Sequence, residues 1–133
     1  MKLKKSSEEQ VNVPTRAELD VLKVLWKHGP STVRFVHDAL NEQKEAVQYT
    51  STLKLMQVMT EKGMLLRDET NMKHVYTAAL EEEPTKRSLL NRFVEHTYEG
   101  SVTGLVNSLL GHEKTSAKDL AEIEKLLKQM KQK

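Results

Sequence analysis

Five side chains between positions 49 and 57 are the most chemically suggestive in the sequence: Tyr49, Thr50, Ser51, Lys54 and Gln57. All are hydrogen-bond donors, and none is paired with a base that would make it a nucleophile. At helical periodicity Thr50, Ser51, Lys54 and Gln57, with Val58, lie opposite Thr52, Leu55, Met56 and Met59. Such a row suits a ligand with phosphate oxygens at its edge and hydrogen-bonding base edges deeper in. Thr50 and Ser51 are placed to donate to phosphates near a helix N-terminus, where the dipole favours anions. Lys54 reaches a phosphate or a guanine edge, Gln57 carries the amide that pairs with adenine, and Tyr49 offers a hydroxyl to a phosphate. Further on, Arg67, Lys73 and His74 supply charge that tracks a nucleic-acid backbone or enters a minor groove. Taken singly, each is equally an ordinary solvated position. As a set, on a helix that follows two helices and precedes a hairpin, they point to double-stranded DNA.

Other chemistries find little support. The five histidines (His28, His37, His74, His96 and His112) are scattered. No His-x3-His with a nearby acid and no glycine-rich phosphate loop occurs. Glu81-Glu82-Glu83 sits where a helix start accounts for it. There is no cysteine, which excludes disulfides, zinc–cysteine sites and a thiol nucleophile and fits a reducing cytoplasm. The expectation is no catalytic residues, no metal and no cofactor. No apolar run approaches the roughly 20 residues of a membrane span. The basic N-terminus lacks an apolar segment behind it, so no signal peptide is expected. Net charge is only +2: residues 1–80 carry 12 Lys+Arg against 10 Asp+Glu, and residues 81–133 carry 9 of each. A clear basic excess often marks a nucleic-acid binder. Here affinity must instead come from a locally basic surface, from helix N-termini, or from doubling the site in a dimer.

Three segments must position these residues. Residues 1–13 read as a flexible tail. Residues 14–80 read as three helices and a hairpin, the order of a winged helix-turn-helix. Thr15-Arg16-Ala17-Glu18 matches a capping box and opens the first helix; Leu19, Leu22, Leu25 and Trp26 share its face, and Gly29-Pro30 ends it. Trp26 is expected to anchor that helix to the hairpin. Ser31 is the expected N-cap of the second helix, with Val33, Val36 and Leu40 inward and Arg34 and His37 on other faces. Asn41 to Glu45 forms a polar connector. The third helix is expected from about Gln48 to Lys62, with Gly63 as its stop. Residues 64–68 and 74–78 read as strands, joined by a tip in which Asn71 is able to take a left-handed conformation.

Residues 81–133 read as a helical domain. Pro84 fits a first turn; Leu89, Leu90, Phe93 and Val94 give an apolar face; Gly100 and Gly104 flank a short, weakly defined segment; Leu105, Val106, Leu109 and Leu110 form a patch. Ser116 to Asp119 is a second capping box, followed by Leu120, Ile123, Leu127 and Met130 at 3-4-3 spacing. With almost no aromatic mass, these faces need either a second copy or the winged helix of their own chain. The first is the expectation: a dimerisation domain using Phe93, Leu105, Leu109, Leu120, Ile123, Leu127 and Met130. The fold class is therefore mainly α with a small β-hairpin, an N-terminal winged helix plus a C-terminal helical dimerisation domain.

Residues 15–26 (TRAELDVLKVLW), the run Tyr49-Thr50-Ser51-Thr52-Leu53 with Leu55-Met56, the step Glu61-Lys62-Gly63-Met64-Leu65, and His74-Val75-Tyr76 together resemble the penicillinase-repressor (BlaI/MecI/CopY) family, over about residues 14–130. The resemblance implies a homodimeric, cytoplasmic transcriptional repressor seated on a palindromic operator. It implies, in the antibiotic-resistance branch, release through a membrane-sensor pathway that leads to cleavage of an Asn-Phe bond. The corresponding stretch here is Leu105-Val106-Asn107-Ser108-Leu109-Leu110, with no such pair, and the cysteine motif of the copper-responsive branch is absent. The family often has basic residues late in the recognition helix. Val58 and Met59 stand there, leaving Lys54 and Gln57 as the main readers. The alternative reading is a winged helix used for protein contacts without DNA.

Overall fold

The computed structural model describes residues 13–43 and 47–132. The expected tail, apart from Val13, lies outside the described residues, as does part of the polar connector. Among the described residues there are six helices and one hairpin: α1 Arg16–His28, α2 Val33–Gln43, α3 Tyr49–Glu61, β1 Leu65–Asp68, β2 Val75–Ala78, α4 Glu82–Thr97, α5 Val102–Leu110 and α6 Ala117–Lys131. The chain divides into two compact units, Met1–Leu89 and Leu90–Lys133.

In the first unit α1 begins as its sequence dictates. The Thr15 hydroxyl accepts the Glu18 N–H, and the Glu18 carboxylate accepts the Thr15 N–H. The helix ends at Gly29, whose φ of 81° suits a residue without a Cβ. Val21, Leu22, Val24 and Leu25 are buried, and they meet Val33 and Val36 of α2, Met56 and Met59 of α3, and Met64, Leu65 and Tyr76 of the hairpin in one core. Trp26 packs against this core half-buried, and its indole N–H donates to the Leu80 carbonyl at 2.9 Å, tying α1 to the chain leaving β2.

Two local expectations are corrected here. Ser31 is not the N-cap of α2. Its N–H and carbonyl both pair with Tyr76, at 3.0 and 2.8 Å, so it adds a one-residue third strand to the hairpin. The cap is Thr32, whose hydroxyl accepts the Phe35 N–H. Nor does Asn71 take a left-handed conformation: Glu99 is the sole non-glycine residue with positive φ among the described residues. The tip is turned instead by the Asp68 carboxylate, which accepts the Thr70 N–H at 2.9 Å.

The antiparallel pairing runs Leu65↔Ala78, Leu66↔Thr77, Arg67↔Tyr76 and Asp68↔Val75. Leu65 and Tyr76 point into the core while Leu66 and Thr77 face water. Gly63, at φ 82°, makes the sharp exit from α3 that sets the hairpin's direction. A Cβ there would touch nothing within 4 Å. Gly63→Ala should therefore show backbone strain alone, lowering unfolding free energy by about 1–2 kcal/mol; chemical denaturation checks this.

The second unit has its own start signals. Ser101 caps α5 by accepting the Gly104 N–H, which places Gly104 inside a regular helix rather than at the edge of a weakly defined segment. Gly100, at φ 82°, makes the turn before it. Ser116 and Asp119 form the expected capping box of α6.

Candidate nucleic-acid interface

Helix α3 is held from beneath and bare above. Thr52, Met56 and Met59 are buried, whereas Thr50, Ser51, Lys54 and Gln57 are exposed. Its cap residue, Gln48, makes no side-chain hydrogen bond to the first turn. The Ser51 N–H bonds the Gln48 carbonyl at 3.0 Å, so the N–H groups of Tyr49 and Thr50 are the ones that remain for solvent or an incoming anion.

What fixes the start of α3 is a buried polar chain that the sequence did not announce. His37, placed by periodicity on a face of α2 other than its buried stripe, is itself buried. Its Nδ1 lies 3.1 Å from the Thr52 hydroxyl and its Nε2 lies 3.0 Å from the Asn41 amide nitrogen. The Asn41 amide oxygen accepts the Val47 N–H at 2.9 Å, so its NH2 group must face the imidazole. Nε2 is therefore an acceptor, and Nδ1–H donates to Thr52. One neutral tautomer links α2, the connector's far end and α3. The readable signal was the His37-x3-Asn41 spacing, which puts both on one side of α2. Beyond His37 lies Tyr49, edge to face with the imidazole at 5.5 Å. Its ring carries the Arg34 guanidinium 4.3 Å from its centroid.

The expected contact residues fall into three groups. Thr50, Ser51, Lys54 and Gln57 share the outward flank of α3. Tyr49, Lys73 and His74 come together around one cavity of about 340 Å³ between the α2–α3 side and the wing tip. Arg67 stands apart. It is engaged by the Tyr76 side chain, its cross-strand neighbour, and by Glu69 at 2.7 Å, and both hold its guanidinium more firmly charged. Among the described residues no group of three His, Asp or Glu side chains assembles as a metal site.

A family model described as penicillinase repressor matches residues 14–129. The chain belongs to the penicillinase repressor family. Within that family, the penicillinase repressor of Bacillus licheniformis is 29% identical over 119 residues, spanning 86% of this chain and 89% of the relative. Among solved structures, a MarR family protein from Bacillus stearothermophilus aligns over 96% of this chain and 82% of its own, at 20% identity and a TM-score of 0.47. Membership fixes the coarse function: this penicillinase-repressor family member is a DNA-binding transcriptional repressor, and its family is not one of enzymes. No described helix is long and apolar enough to cross a membrane.

The repressor's second unit presents apolar side chains to solvent. No described residue after Thr85 is buried. Phe93, Leu109, Leu120, Leu127 and Met130 are exposed; Leu105 and Ile123 are half-buried. Phe93 has one aromatic neighbour, Tyr98, at 5.6 Å.

Proposed function

We propose that two copies of this repressor pair through the helices of residues 90–132 and lay the outward flank of each α3 in successive major grooves of a palindromic operator. The observation that carries the reading is the division of α3: Thr52, Met56 and Met59 lock one face into the core, leaving a continuous polar row of Thr50, Ser51, Lys54 and Gln57 toward solvent. Short hydroxyls near the helix start suit phosphates, and the longer Lys54 and Gln57 suit base edges. Pairing also answers the near-neutral charge, because a twofold dimer doubles the phosphate contacts and reads two half-sites. Occupying the operator blocks transcription.

The inducing event differs from cleavage at an Asn-Phe bond, because no asparagine in this chain precedes a phenylalanine. The stretch matching that region lies in α5, where a peptide bond is helical and a protease needs it unwound first.

Footprinting on the DNA upstream of the repressor's own gene tests the reading and supplies the operator. On that duplex Lys54→Ala should weaken binding by roughly 1–3 kcal/mol while leaving thermal unfolding unchanged. Fluorescence anisotropy reads the first and circular dichroism the second. Unaltered affinity removes Lys54 from the contact surface. Absence of any specific duplex binding by the wild type would favour the rival, a winged helix that docks proteins.

A further inference from the structure

The cavity beside the wing has a chemistry that the α3 flank alone does not use. Resting on the DNA reading above, we infer that it is a seat for a backbone phosphodiester of the bound duplex, gripped from one side by Arg34 of α2 and from the other by Lys73 and His74 of the wing tip.

Three observations converge on it. The first is charge. Arg34, Lys73 and His74 all line the cavity, and no carboxylate does. Among the described residues Arg34 and Lys73 enter no salt bridge, in a chain whose acids and bases are nearly balanced. A concave surface carrying only basic charge concentrates an anion. The second is surroundings. Val33, Leu53 and Met72 share the lining with Thr32, Tyr49 and Tyr76. Apolar walls beside a cationic rim match a sugar–phosphate unit, with its anionic oxygens and carbon ring, better than they match a bare hydrated ion.

The third is preorganisation. Arginine on a surface usually loses rotamer freedom when it binds, which weakens the contact. Here the guanidinium already lies over the Tyr49 ring, 4.3 Å from its centroid. Tyr49 is braced by the buried His37 imidazole, itself fixed by Thr52 and Asn41. A guanidinium held by its face on an aromatic ring keeps its N–H edge for other partners, and that edge is the part of the group that forks onto phosphate oxygens. Because the wing supplies Lys73 and His74, one phosphate held here clamps the hairpin to the helix pair and fixes α3 in its groove.

The test is the salt dependence of duplex binding, measured with a mixed-sequence duplex and with the footprinted operator. Each neutralised phosphate contributes close to 0.9 to the slope of log affinity against log salt. Arg34→Ala should lower that slope by about one unit per subunit and weaken both duplexes by the same factor. Lys73→Ala should do the same. The double variant should lose less than the sum of the two, because both cations grip one phosphate. Arg34→Lys should keep the slope while losing affinity, since lysine keeps the charge but not the stack. Arg34→Gln, which preserves the stem, replaces Arg34→Ala if that variant unfolds. An unchanged slope in both charge-removing variants, on a wild type that does bind duplex DNA, overturns the seat and leaves the α3 reading standing. A wild type with no salt-dependent duplex binding overturns both.

Discussion

Leu127→Asp is expected to yield a folded monomer with operator affinity lower by roughly 10²–10⁴-fold, the gain that linking two half-site contacts confers. Leu127 sits in α6, half-exposed at 54%. Within one chain, therefore, the new carboxylate meets water and should do little to the helix that carries it. Its neighbours on the stripe, Leu120 and Met130, are also exposed. An apolar row along a capped helix is thus left largely in water, and contiguous exposed apolar surface marks an association site. In a dimer the same carboxylate would be placed in a desolvated seam, where an unpaired charge costs several kcal/mol. Sedimentation equilibrium gives the mass, and anisotropy on the footprinted operator gives the affinity. Persisting dimers would remove this row from the interface. Monomers that bind the operator undiminished would remove pairing from the mechanism.

Much of the fold was legible because its signals are local. Both capping boxes, at Thr15–Glu18 and Ser116–Asp119, lie within four residues, and both form as the sequence indicates. The outward flank of α3 follows from periodicity alone. What the sequence hid depends on distant partners. Two hydroxyls in succession, Ser31 and Thr32, each qualify as a cap, and the choice is made by Tyr76, which takes up the Ser31 backbone. Histidine on an amphipathic helix reads as a surface residue until Thr52, 15 positions on, and Asn41 are seen to satisfy both its nitrogens. Arg34, which the periodicity of α2 places only off its buried stripe, takes its setting from Tyr49 beneath it and the wing across from it. The ion pair of Arg67 with Glu69, two residues on at the tip, likewise becomes visible only in the fold.

A contact that the sequence hides also bears on stability. Glu18→Ala should lower unfolding free energy by about 2–4 kcal/mol, the sum of a lost cap and lost charge-assisted hydrogen bonds. Glu18 is 3% exposed. One carboxylate oxygen accepts the Thr15 N–H at 2.9 Å; the other accepts the Lys62 ammonium at 2.7 Å, across 44 residues of sequence. The first turn of α1 is thereby bolted to Lys62, the residue that ends α3, where a cation also suits the helix dipole. Lys62 reaches solvent, so removing Glu18 lets it swing into water rather than strand a buried charge. Burial works to raise the Glu18 pKa, but the Lys62 bond and the Thr15 N–H together outweigh it and hold the group below its ordinary value of 4.5. A depressed folded-state value means the ionised carboxylate stabilises the fold fully above the unfolded value and stops doing so as pH falls through the lower folded one. The gap between wild type and Glu18→Gln, measured by urea denaturation, should therefore be wide at neutral pH and close in the acid range below 4.5. A gap that stays constant with pH would mean that Glu18 acts through packing and its cap alone, and that its charge contributes nothing to joining the two helices.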